Sequence, residues 1–189
     1  FHYLYDYQGS RVQAGECIHA LRSLGHEVVV ADMDPAPTEP AHAGAHVRSA
    51  LKRALAKYLH EPNALLKNVP AFIRERRILK AQQPDVVIVR YKLFRCSSLL
   101  ASRWAGRPVI LWVHGPGAYT ARRFEPRFVH YPFLAELIER FTWRLADAIV
   151  VVSGELRELL VTCGAPRERI AVIPNGVDLA RFAPTGDGH

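Results

Sequence analysis

Six short apolar runs punctuate this chain: Phe1 to Tyr5, Glu27 to Ala31, Val86 to Val89, Val109 to Val113, Ala148 to Val152 and Ile170 to Ile173. They are rich in Val and Ile and apolar on successive positions, which predicts strands buried on both faces in a parallel sheet covered by helices. The stretches between them carry helical periodicity. Residues 13–24 place Ala14, Cys17, Ile18, Leu21 and Leu24 on one stripe, and Gly25 follows as a C-cap would. Residues 131–145 do the same with Leu134, Leu137, Ile138, Phe141 and Leu145, which leaves Glu136, Glu139, Arg140 and Arg144 outside. Ser153 precedes Glu155, Leu156, Leu159 and Leu160 and reads as the N-cap of a short helix closed by Gly164 and Pro166. Alternation of this kind predicts an α/β fold: an open, mostly parallel sheet with right-handed crossovers and helices on both faces.

The chain's 189 residues suffice for one large domain and not for two. Hydrophobic residues at 49% and charged residues at 23% exclude a disordered or fibrous chain. Cys17, Cys96 and Cys163 form neither a CxxC pair nor a Cys/His cluster, so neither a disulfide framework nor a metal site is signalled. With no signal peptide in view, the expected compartment is reducing and cytoplasmic. The apolar runs are too short for a transmembrane helix. Because the chain begins with Phe1 and not Met, the first strand is expected to be clipped and the chain to be an excerpt of something longer.

Lys and Arg number 25 against 18 Asp and Glu, a net charge of +7. Residues 46–80 account for all of it. They hold Arg48, Lys52, Arg53, Lys57, Lys67, Arg74, Arg76, Arg77 and Lys80 against Glu61 and Glu75. Within residues 46–60, Val47, Ala50, Leu51, Ala54, Leu55, Tyr58 and Leu59 form one stripe flanked by Arg48, Lys52, Arg53 and Lys57. Two readings stand: an interfacial helix with these four cations facing an anionic membrane, and a helix packed on the sheet with a solvated basic rim. Nucleic acid is a poorer partner for this charge, since no recognised motif or interleaved aromatic platform accompanies it.

Parallel sheets bind ligands at the C-terminal ends of their strands, so the loops after the apolar runs are the candidates for chemistry. In the first, Asp6-Tyr7-Gln8-Gly9-Ser10-Arg11, Gly9 permits close backbone approach and the following helix N-terminus favours an anion. It is neither a GxGxxG nor a Walker motif. In Trp112-Val113-His114-Gly115-Pro116-Gly117, His114 ends a buried strand and titrates near neutral pH, which suits donation to a sugar hydroxyl or a developing charge. Arg122, Arg123 and Arg127 follow and could grip a phosphate, or form a solvated face.

At Ala165-Pro166-Arg167-Glu168-Arg169-Ile170-Ala171-Val172-Ile173-Pro174-Asn175-Gly176-Val177-Asp178, then Phe182 and Pro184, the chain resembles retaining glycosyltransferases of family 4, which have the two-domain GT-B fold. Leu21 to Val28, Pro108 to His114 and Ala146 to Ser153 match the same family in the same order. The resemblance implies that residues 1–174 are a Rossmann-like acceptor-binding domain and that 175–189 lead through a hinge into a C-terminal donor domain beyond His189. It implies transfer of a sugar, with retention, from a nucleotide diphosphate sugar to a glycan or lipid-linked acceptor, without a metal or resident cofactor, in cell-envelope or exopolysaccharide assembly at the inner membrane face. By the same resemblance His114 lies near the transferred sugar. Gly9 lies near the donor phosphates, although the family's paired glycines read Gln8-Gly9 here. Ser153 faces the cleft at its strand end, Gly115 is a substrate-binding candidate beside His114, and Asn175, also a substrate-binding candidate, lies in the turn before the hinge with a mainly conformational role. Arg11, Arg90, Arg122 and Arg123 are candidates to receive an acidic or phosphate-linked acceptor. The fragment alone is expected to be inactive. The rival expectation is a non-catalytic peripheral domain that docks on membrane or partner through its basic helix.

Overall fold

Four of the apolar runs become a single parallel sheet. The computed structural model of the chain describes residues 9–31, 50–124 and 129–176, without the side chains of 9–12 and 50–57. The chain divides into two compact units, Phe1–Ala43 and Gly44–His189. In the larger unit the elements run α2 (Ala50–Leu66), α3 (Asn68–Gln82), β1 (Val87–Arg90), α4 (Ser97–Trp104), β2 (Val109–Val113), α5 (Gly117–Phe124), α6 (Pro132–Leu145), β3 (Ala148–Val151), α7 (Gly154–Thr162) and β4 (Ile170–Val172). In the smaller unit helix α1 spans Gly9–Ser23.

The strand order is β1-β2-β3-β4, all parallel, with Val89 opposite Leu111, Leu111 opposite Ile149 and Ile149 opposite Ile170. The chain is therefore the α/β fold its periodicity predicts, a parallel sheet flanked by helices. Helices flank the sheet on both faces, and the main core lies on one of them. Val109, Leu111, Val113, Ile149 and Val151 pack there against Leu99 of α4, Trp143 of α6 and Leu160 of α7. The alternate positions Ile110, Trp112 and Val150 are half-buried, and Ile88 is exposed.

One expected strand differs. Glu27 to Ala31 forms no ladder with any described residue, and Val29 and Val30 are exposed. A strand is held by its neighbour's hydrogen bonds, and no described residue supplies them. The Val28 carbonyl instead accepts from the Arg22 guanidinium at 3.0 Å. The expected strand Phe1 to Tyr5 lies outside the described residues. Helix α1 ends as expected at Gly25, whose φ of +88° favours glycine, with His26 N–H donating to Leu21 O and Gly25 N–H to Arg22 O.

Helix α6 has the predicted extent but a different buried face. Ala135, Glu139, Thr142 and Trp143 are buried, whereas Leu137 and Phe141 of the expected stripe are exposed. A 3.6-residue period fits both rows, and the apolar count misassigned the face because Glu139, expected outside, is satisfied within. We expect Trp143→Ala to cost about 3–5 kcal/mol and Leu137→Ala less than about 1 kcal/mol in urea denaturation. Equal costs would restore the original stripe.

Candidate functional site

Parallel pairing delivers the ends of all four strands to one edge of the sheet. Arg90 is the last residue of β1, His114 follows β2, Ser153 lies two residues past β3, and Asn175 follows β4. The register fixes their neighbourhood, since Arg90 is opposite Trp112 and Val113 opposite Val151. His114 is exposed and lies against Trp112 at 5.3 Å between ring centroids. Partial burial of the imidazole, then the positive charge of Arg90, lowers its pKa from the usual histidine value.

The turn that carries His114 is built to close tolerance. Gly117 approaches the preceding loop so closely that a Cβ there would sit 2.9 Å from the Tyr91 hydroxyl and 3.0 Å from Leu93 Cβ. The Gly117 N–H donates to Tyr91 Oη at 3.2 Å, and the Tyr91 hydroxyl in turn donates to the Glu139 carboxylate. That same carboxylate oxygen accepts the Ala118 N–H at 3.2 Å. Glu139 is 3% exposed. Burial raises its pKa, while the bonds from Tyr91 and Ala118 oppose the rise. One acid on α6 thus ties Tyr91, just past β1, to the first turn of α5, which His114 and Gly115 precede in the chain. The Tyr91 ring lies on Trp143 at 4.8 Å, which seats the clamp on the core.

Two further buried side chains hold helix starts. Glu61 of α2 accepts from the backbone N–H groups of His130 and Tyr131 at the start of α6. Asn68 of α3 accepts from Cys96 and Ser97 N–H at 2.9 and 3.0 Å and donates to Phe94 O at 2.8 Å, closing the loop between β1 and α4.

The remaining sequence candidates are placed as follows. Ser153 is the expected N-cap, its Oγ accepting from Leu156 N–H at 3.2 Å. Gly115 is half-buried beside Thr120, and Asn175 is exposed. Arg122 and Arg123 occupy the last turn of α5, about 7–9 Å along the helix from Gly117. Arg122 is engaged by Glu136 at 3.1 Å, and Arg123 is exposed. Gly9 is the first residue of α1, which starts before the expected position, and Arg11 lies in its first turn. They belong to the smaller unit. Arg48 and the side chains of Lys52, Arg53 and Lys57, the candidate membrane face, lie outside the described residues, as does Arg127. Burial pushes the Cys163 thiol up to about 11. Among the described residues no helix is long and apolar enough to cross a membrane, and no three His, Cys, Asp or Glu side chains group as metal ligands.

The residues that sequence reasoning missed are Tyr91, Glu139, Glu61 and Asn68. Only Tyr91 carried a local signal, as the first side chain beyond an apolar run.

Comparison with known proteins places this site in context. The profile of Glycosyltransferase Family 4 matches residues 7–181, and the chain belongs to that family. It is 28% identical over 123 residues to the Escherichia coli UDP-Gal:alpha-D-GlcNAc-diphosphoundecaprenol alpha-1,3-galactosyltransferase, covering 64% of this chain and 30% of that protein. Among solved structures it is similar to a Listeria monocytogenes protein designated a candidate UDP-N-acetylglucosamine 2-epimerase, with a TM-score of 0.46, 19% identity and coverage of 66% and 32% of the two chains. The UDP-N-acetylglucosamine 2-epimerase of Rickettsia bellii gives a TM-score of 0.41 at 17% identity, with coverage of 74% and 32%. The chain thus spans about a third of the length of these relatives.

Arg90→Gln should raise the His114 pKa toward the ordinary histidine value, read by NMR titration of the imidazole. An unchanged value would show that the two strand ends do not interact.

Proposed function

We propose that this chain is the acceptor-side domain of a transferase that moves a sugar from a nucleotide diphosphate sugar to a glycan or lipid-linked acceptor with retention, in cell-envelope or exopolysaccharide assembly at the cytoplasmic face of the membrane. The observation that carries the reading is the placement of an exposed His114 beside Arg90 on adjacent strand ends. A neutral imidazole can both donate to and accept from sugar hydroxyls. A guanidinium beside it stabilises phosphate charge, the main electrostatic demand when a nucleoside diphosphate leaves. Family membership supports the reaction class. The name of the Escherichia coli relative, with its diphosphoundecaprenol-linked acceptor, supports a lipid-linked substrate.

In this account His114 orients a hydroxyl of the transferred sugar and need not remove a proton. Gly115 leaves room for that sugar, and Ser153 offers its hydroxyl hydrogen from the neighbouring strand end while its oxygen caps α7. Asn175 lies in the turn that leads to the second domain, and Arg122 and Arg123 receive acidic parts of the acceptor.

The test is acceptor-dependent release of nucleoside diphosphate by the intact protein supplied with UDP-hexoses and polyprenyl-diphosphate sugars. His114→Ala should lower turnover by roughly ten- to a thousandfold without moving the unfolding midpoint. Product NMR should show the donor's anomeric configuration. Wild-type turnover in His114→Ala would contradict the role of His114, and an inverted product would contradict retention.

A further inference from the structure

The N-terminal end of the sheet, opposite His114, carries a different kind of opening. Helices α3 and α4 both finish there, and a cleft of about 450 Å³ lies between their last turns, lined by Ile73, Arg76, Arg77, Lys80, Trp104 and Arg107 with their neighbours. Among the described residues no carboxylate forms an ion pair with any of these four cations. Basic side chains near helix C-termini partly offset the helix dipoles. Two helix ends contribute only about half a negative charge each, so an excess of about three positive charges remains.

Several of these groups are oriented in advance. The Arg76 guanidinium lies 4.9 Å from the Trp104 ring centroid and 5.8 Å from that of Phe72, and the two rings meet edge to face at 6.4 Å. Gln83 caps α3 in the left-handed region at φ +47°, an uncommon conformation for a residue with a side chain. From there its Nε2 donates to Lys80 O at 3.0 Å, and its Oε1 accepts from the Arg107 guanidinium. The Arg107 guanidinium is thus held in place before any ligand arrives, and Arg76 packs on the Trp104 ring, which reduces the ordering cost of binding. Trp104, 69% exposed, offers indole surface at the rim.

A concave site of this volume suits a discrete small molecule, and forked guanidinium donors match phosphate oxygens. We propose that this cleft binds a diphosphate-bearing small molecule, with its phosphates on Arg77, Lys80 and Arg107 and its apolar or planar remainder against Trp104. The inference does not depend on the transferase reading. An anionic lipid headgroup shares the phosphate chemistry, and the test separates the two sources.

The probe is inorganic pyrophosphate, titrated into the intact protein at low salt with tryptophan fluorescence and calorimetry as readouts. Saturable binding is expected, with a fluorescence change that Trp104→Phe removes; this separates the cleft from Trp112 beside His114. The double variant Arg77→Gln, Lys80→Gln alters exposed side chains and should retain its circular dichroism. It should weaken binding roughly tenfold or more, since each lost charged hydrogen bond matters at this scale. Absence of saturable binding at millimolar pyrophosphate would overturn the proposal, as would binding that the double variant leaves unchanged. Binding to phosphatidylglycerol vesicles without binding of free pyrophosphate would also overturn it, by making the surface a membrane contact.

Discussion

A helix that follows a strand of a parallel sheet begins with backbone N–H groups that have no partner within the helix. When that end is buried, something must accept them. This chain uses side chains distant in sequence: Asn68 for α4 and Glu139 for α5, while Glu61 accepts from the two N–H groups just ahead of α6. Helix α7 is capped by its own neighbour, Ser153. The acceptors are charged or amide groups sunk among apolar residues, which is tolerable only because their bonds are made. Those bonds set the geometry of the strand-end edge.

The clamp around Glu139 matters most for function. His114 is exposed and lies against Trp112. Its position follows from the turn that leads into α5, and that turn is fixed by the Gly117 contact with Tyr91 and by the Glu139 carboxylate. The placement of a rigid turn on a packed sheet suits a group that must meet a sugar hydroxyl in a defined direction.

The sheet was legible in the sequence because strand cores in a parallel sheet announce themselves as short Val- and Ile-rich runs. Val109 to Val113 and Ile170 to Val172 needed nothing else. The Ser153 cap and the Gly25 stop were legible for the same reason, since their chemistry is local. Glu139 was not. In Glu136-Leu137-Ile138-Glu139-Arg140 it resembles a surface acid, and only the arrival of Tyr91 and Ala118 from elsewhere in the chain makes its burial favourable. The segment Glu27 to Ala31 shows the converse, a sequence with strand character that pairs with no described neighbour.

Amide hydrogen exchange at Gly117 and Ala118 tests the central claim most directly. If the Glu139 carboxylate and the Tyr91 hydroxyl hold the His114 turn, both amides are protected in the wild-type protein. In Glu139→Ala they should exchange at least tenfold faster, a loss of roughly 1.4 kcal/mol or more, while Leu111 and Ile149 in the sheet keep their protection. Equal protection of Gly117 and Ala118 in the two proteins would show that the turn is held by something else, and the account of how His114 is placed would fall.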